Sequence, residues 1–307
     1  MHRTLTPSPA ETPVPPAQIV LSLYLRLVRE ARGINQSKAA DCLGVSISAV
    51  SRWERAETPI QRPDTLRQLL RLYGVKDPHK TFLVQSLPPR HRNLGERVEQ
   101  GLALRAPHDH WADVADVEAT ARYIAVMRSA TEVIEYGMRP PAGLRTQAYE
   151  QLVLAPEICA IPDVPLPGLP SWVQGVDWVP RQRRTVILDE VVLTQGGSHP
   201  AVAAAQLRHL VRLVDHEDPG GRGLAVRILP LSRALCVQTF GPVAEVTVNG
   251  HRMVASVGLF PNYETGSGAA RTASAGLLEA LDCAWTREET RTRLVSAAEA
   301  MERRAAS

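Results

Sequence analysis

Four side chains within one run of six residues, Ile47, Ser48, Ser51 and Arg52, combine an aliphatic surface, two hydroxyls and a guanidinium. A hydroxyl donates and accepts, and a guanidinium donates through a planar fork. Base pairs differ along the DNA major groove in donors, acceptors and the thymine methyl, which are the groups these side chains can read. If the run is helical, Ile47, Ser48, Ser51, Arg52 and Arg55 share one side. Val50 and Trp53, three apart, take the other and can pack. A helix that packs on one face and offers small polar, basic and aliphatic groups on the other suits a major groove wide enough to admit it.

Other candidate chemistry is weaker. Asp189 and Glu190 are adjacent on an extended run, so their carboxylates point to opposite faces and cannot work as a paired acid and base. A strand-end acid that meets an arginine is the plainer expectation. His108 and His110 flank Asp109 without a third ligand at a recognisable spacing, so a metal is not expected. Ser198-His199 lies in a glycine turn with no nucleophile motif around it. Gly220-Gly221-Arg222-Gly223 leads into a strand, not from a strand into a helix as a phosphate loop does. No catalytic residue, metal or cofactor is assigned, and the chain is read as a non-enzyme.

The elements that must position the reading face are legible around it. Residues 36–43 form a short helix with a small apolar face at Ala39, Ala40 and Leu43. Gly44 can take the positive φ that ends it, Val45 plugs the corner, and Ser46 is a good N-cap for a second helix to about Glu54. A plain helical hairpin would not need turn glycine, cap, core spacing and flanking positive charge together. Upstream, Leu21, Leu25 and Val28 mark a helix over 19–32, stopped by Gly33. Downstream, 55–62 is a polar loop and Pro63 opens a helix with Leu66, Leu69, Leu70 and Tyr73 on its stripe. A fifth helix over 78–87 completes a bundle, and Pro88-Pro89 breaks the chain. The expected division is a disordered tail at 1–17, a five-helix domain at 18–90, and a second domain at 91–307.

The second domain reads as α+β, with a mixed or antiparallel sheet and helices over it. Helices are expected over 94–104, 111–128, 143–154, 200–214, 269–285 and 287–304. Strands are expected over 131–136, 184–188, 224–229, 235–240, 244–248 and 252–259, with residues 191–195 as a further segment. Asn249-Gly250 has the residues that a two-residue primed hairpin turn requires. The proline-rich stretch 155–180 holds Trp172 and Trp178 and is expected to wrap a surface.

The motif resembles the helix-turn-helix of phage-repressor-type regulators, the xenobiotic-response-element class. The likeness runs through Asn35-Gln36-Ser37, Ala39-Ala40, Leu43-Gly44-Val45-Ser46, Val50-Ser51-Arg52 and Glu54. The resemblance implies Ile47, Ser48 and Arg52 as base readers, with Ser51 beside them. It implies Gln36 at a phosphate, with Arg55 and Arg62 as further DNA-backbone contacts. It also pairs Arg29 with Glu54. The family often has glycine two residues after that glutamate, where this chain has Ala56, so the exit of the second helix is a point of departure. More loosely, residues 94–300 are similar to the C-terminal domain that follows such modules in actinobacterial antitoxin-like regulators. The carrying pieces are Trp111 with Glu118-Ala119, the segment 141–146 with Tyr149, 186–190, Gln206-Leu207 and 226–230. Ala142 and Arg145 depart from that pattern, as does Pro261-Asn262-Tyr263-Glu264.

Composition sets the bounds. At 307 residues the chain can hold two cores. With 44% hydrophobic and 22% charged residues, and no long apolar run, it reads as soluble, cytoplasmic and nucleoid-associated. Cys42, Cys159, Cys236 and Cys283 have no paired spacing and read as reduced thiols. Arginine outnumbers lysine 32 to 3, a mark of GC-rich coding and hence of an actinobacterial-type source. The net charge of +3 divides into +6 for residues 1–90 and −3 for the remainder, so the positive charge sits with the motif. Two functions follow. One is a sequence-specific transcription regulator on double-stranded DNA, reading an inverted repeat as a homodimer held beyond residue 90, whose second domain dimerises, senses a ligand or both. The other is an antitoxin-like protein that acts mainly through a small protein partner, with DNA binding secondary.

Overall fold

The structure is a computed structural model and describes residues 14–87, 109–113, 119–141, 143–153, 182–196, 198–218, 223–233, 241–257 and 261–307. The N-terminal helices are α1 (Pro16–Ala31), α2 (Gln36–Leu43), α3 (Ile47–Glu54), α4 (Pro63–Leu72) and α5 (Asp77–Gln85). Pro16 stands at the start of α1, where its missing N–H costs nothing, so Pro16 and Ala17 belong to the helix and not to a tail. Four of these helices end alike: Ile34 N donates to Arg29 O, Val45 to Ala40, Glu57 to Arg52 and Val75 to Leu70, each closing a six-residue loop. The left-handed residue inside that loop is Gly33, Gly44 and Gly74 in three of them, and Ala56 in the fourth, at φ 60°. The exit of α3 therefore has the same geometry as its neighbours, with a Cβ where they have none.

Seven strands form one mixed sheet among the described residues: β1 (His110–Ala112), β2 (Glu132–Gly137), β3 (Arg183–Asp189), β4 (Leu224–Leu229), β5 (Val243–Val248), β6 (His251–Val257) and β7 (Pro261–Glu264). Their order is β1-β7-β6-β5-β2-β3-β4. Strands β2, β3 and β4 run parallel and the other pairs antiparallel. The helices of this part are α6 (Ala119–Ser129), α7 (Gln147–Val153), α8 (Pro200–Asp215), α9 (Gly268–Cys283) and α10 (Arg287–Ala306). The chain thus joins a helical N-terminal region to an α+β region with a mixed sheet.

Side-chain alternation divides the sheet into two faces. On one, Val133, Ala244, Val246, Val248, Met253 and Ala255 share a continuous core with α6 and with the N-terminal bundle. Further along that face, Val186, Leu188, Val226 and Ile228 lie under α8 and α10. The opposite face packs Tyr136, Ile187, Leu229, Val243 and Val254 against Ala270, Ala273, Leu277 and Ala280 of α9. Helix α1 is buried nearly all round from Pro16 to Leu25, because it packs on its own bundle and on α6. The guanidinium of Arg122 on α6 sits 5.7 Å over the ring of Tyr24 on α1. That same guanidinium is fully buried and bidentate with Asp113 beyond β1, at 2.7 and 2.6 Å.

Two further sequence expectations are corrected. Trp111 is in strand β1 and not in a helix over 111–128. The strand pairs with β7, and the Trp111 ring stacks on Tyr263 with centroids 5.6 Å apart. The helix expected over 143–154 begins at Gln147, because Pro141 O and Leu144 N close a turn before it and Thr146 Oγ1 then accepts from Tyr149 N. The hairpin at Asn249-Gly250 has both residues at positive φ, 49° and 81°, as a type I′ turn demands. The expected elements at 94–104 and 235–240, the tryptophans Trp172 and Trp178, His108 and Pro88-Pro89 lie outside the described residues.

Candidate nucleic-acid interface

Helices α2 and α3 are built from local signals. Asn35 caps α2 by accepting from Lys38 N at 2.8 Å, and Ser46 caps α3 by accepting from Ala49 N at 3.2 Å. Ala39, Ala40 and Val50 are buried in the bundle, and Trp53 is half-buried against it. The opposite side of α3 is open. Ile47 is 51% exposed, and Ser48 and Arg52 are exposed beside it. Ser48 Oγ lies 3.0 Å from Ser46 Oγ.

The Arg52 guanidinium makes no hydrogen bond or ion pair with any described residue, whereas the residue's backbone oxygen accepts from Glu57 N. Arg55 is already engaged. Its Nε and Nη2 donate to Glu57 at 2.6 and 3.2 Å, and its Nη1 donates to Ser51 Oγ at 2.6 Å. Ser51, half-buried, is thereby held by Arg55. Glu57 is held below the usual carboxylate range, first by the Arg55 hydrogen bonds and further by the charges of Arg55, Arg52 and His251. Arg62 is exposed at the N-cap of α4. The structure thus gathers Ile47, Ser48, Ser51 and Arg52 on one helix and Arg55 at its C-cap, with Arg62 on the loop beyond.

Behind this face sits a charged lock. Arg29 and Glu54 are 7% and 3% exposed. They pair through two bonds, Nε to Oε1 at 2.5 Å and Nη2 to Oε2 at 2.9 Å. Arg29 Nη1 also donates to Ile34 O at 2.7 Å, and Gln36 Nε2 donates to Glu54 Oε2 at 2.7 Å. The Glu54 hydrogen bonds raise the Arg29 guanidinium further above its already high ordinary value. Gln36 therefore joins the first helix of the motif to the last residue of the second. Gln18 Nε2 adds a buried bond to Ala56 O at 2.8 Å, so α1 grips the exit of α3 as well.

Three participants were not singled out from sequence. Glu57 could have been suspected from its acidic charge two residues after Arg55. Asn249 Nδ2 donates to Arg55 O at 3.3 Å, and His251 stands within electrostatic reach of Glu57. Their hairpin was legible, but its place beside α3 depends on a contact 194 residues distant. The weaker chemical candidates find local partners: Asp189 accepts from Tyr136 Oη at 2.8 Å and from Val191 N at 2.9 Å, and Glu190 accepts from Leu231 N. Burial, then the Asp189 hydrogen bond, raises the Tyr136 phenol.

A family model for a helix-turn-helix domain matches residues 20–81, from within α1 to the middle of α5. No curated protein and no solved structure matches the chain. The matched domain supports a DNA-binding regulator. Among the described residues no helix is long and apolar enough to cross a membrane.

Proposed function

We propose that this chain is a sequence-specific transcription regulator that lays α3 into the major groove of double-stranded DNA. The carrying observation is the division of α3 between a buried side anchored by Val50 and Glu54 and an open side carrying Ile47, Ser48 and an Arg52 guanidinium that pairs with no described residue. A forked guanidinium on such a face is the commonest reader of guanine. Ile47 is the group placed for a thymine methyl. Arg62 and the N-terminus of α2 serve phosphates.

A single module offers few base contacts, and discrimination against a genome of competing sites calls for two. We therefore read the chain as a homodimer, joined through residues beyond 90, on an inverted repeat with recognition helices about 34 Å apart. The α+β region is the part that would dimerise, sense a ligand, or both.

The test is selection of duplexes from a random pool by the full chain. The expected result is enrichment of a two-fold symmetric site with half-sites separated by one helical turn. Arg52→Ala should then weaken the selected site by about 1–3 kcal/mol and relax choice at one base pair per half-site. An equal loss on every sequence would assign Arg52 to phosphate instead.

A further inference from the structure

The β5–β6 hairpin ends beside the reading helix, and its placement has a chemical consequence. Helix α3 has eight residues and is about 12 Å long, close to the width of a major groove. When its first turn meets base edges, its last residues lie at the groove wall, where phosphates run. Asn249 Nδ2 reaches Arg55 O, the C-cap of α3, at 3.3 Å, so the hairpin tip stands at that wall.

The tip is not a loose loop. Val248 is 1% exposed and shares the core that holds Val50 of α3, while Asn249 and Gly250 form a two-residue turn. His251 pairs across the hairpin with Val248 and alternates with Met253, on the sheet face that carries the bundle. It therefore points toward the side of the sheet where α3 lies. Its charge is felt at Glu57, as are those of Arg52 and Arg55. Glu57 already takes two Arg55 donors, so the groups at this wall that can meet a phosphate are Arg52 of the reading helix and His251 of the second domain.

On the DNA-binding reading above, we propose that the hairpin tip is a second DNA-contacting element, in which His251 meets a backbone phosphate beside the groove that α3 enters. The α+β region then contributes directly to the nucleic-acid surface, in addition to whatever it joins or senses. An imidazole N–H donates to a phosphate oxygen in either protonation state, and the exposed Gly250 widens the approach.

The experiment compares the full chain with His251→Arg and His251→Glu, on its selected duplex and on a mixed-sequence duplex of equal length, across a salt series. A fixed cation at a phosphate steepens the slope of log K against log salt by about 0.9. The arginine variant should therefore bind more tightly at low salt with a slope steeper by that amount, and the glutamate variant should bind more weakly. Damage to the fold would weaken both variants, so opposite directions identify the contact. If the unaltered chain binds while the three slopes coincide, or both variants weaken alike, the hairpin is only a strut and the proposal fails alone. If the unaltered chain binds neither duplex, the DNA-binding reading falls and the hairpin contact with it.

Discussion

Glu54→Ala is the sharpest probe of how helix α3 is held. The carboxylate is 3% exposed and accepts from Arg29 Nε, Arg29 Nη2 and Gln36 Nε2. Its removal leaves a guanidinium that is 7% exposed with Ile34 O as its remaining hydrogen-bond acceptor and only the solvent-exposed Glu30 carboxylate, 3.5 Å away, as a counter-charge. Breaking a buried pair from one side costs roughly 3–5 kcal/mol, since the desolvated charge loses its counter-ion. A whole domain has only about 5–15 kcal/mol of stability, so the effect is large. At about 2–4 °C per kcal/mol for chains of somewhat smaller size, the midpoint should fall by roughly 6–20 °C, toward the low end for 307 residues. Thermal unfolding followed by circular dichroism and calorimetry measures it. The double change Arg29→Met with Glu54→Leu removes both charges and keeps the volume, so it should stay within about 1–2 kcal/mol of the parent. An unchanged midpoint for Glu54→Ala would refute the reasoning. So would a double variant that loses as much as the single one, since the cost would then lie in packing and not in a stranded charge.

Ala56 at φ 60° stores about 1–2 kcal/mol of backbone strain, but it also buries a methyl worth about 0.8 kcal/mol. Ala56→Gly should therefore lie within about 1 kcal/mol of the parent, while Ala56→Val, β-branched and at positive φ, should cost at least about 2 kcal/mol by urea unfolding. His209 on α8 is held below the ordinary imidazole value of 6.5, first by burial and then by the charge of Arg212. The unfolded chain then binds the proton more readily, so stability contributed by the neutral ring is complete above pH 6.5 and lost as pH falls below it. His209→Gln should flatten the decline of the melting midpoint with acid in that window, and an unaltered decline would clear His209 of the role. A fragment of residues 1–90 keeps the motif but uncovers the side of α1 that α6 protects, Tyr24 included. It should unfold at lower urea than the intact chain and bind a hydrophobic dye, whereas an equally stable fragment would show that α1 needs only its own bundle.

Helix α3 and its supports were legible because their signals are local. Asn35, Gly44, Ser46 and Pro63 each act on a neighbour within five residues, and the apolar steps of α1 and α4 declare their own buried sides. The parallel strands β3 and β4 were legible as short β-branched runs. Strand β1 was not, because three residues carry no period and its partner, β7, begins at Pro261. Strand β7 has only four residues and contains proline and asparagine, which are poor strand formers. The buried pair Asp113–Arg122 and the contact of Asn249 with Arg55 join residues that no helical or strand period relates. Charge type suggested the open face of α3, but it could not show that Arg55 is occupied by Glu57 and Ser51 while Arg52 is not.

Helix α3 is held at its far end from several directions. Arg29 grips Glu54 and Gln18 grips Ala56 O, both from α1; Gln36 comes from α2, and Asn249 from the sheet. Helix α1 is in turn fixed to the sheet side through the stacking of Arg122 over Tyr24 and the shared core with α6. Helix α3 is therefore not a module on a tether. Its orientation is set relative to the sheet by packed and hydrogen-bonded contacts at both of its supports. If two chains join through the α+β region, as proposed, the distance between their reading helices is then fixed before DNA is met. Fixing that distance in advance spares the ordering entropy that two tethered heads would lose on binding. It also makes the spacing of half-sites, and not their sequence alone, a property that the second domain selects.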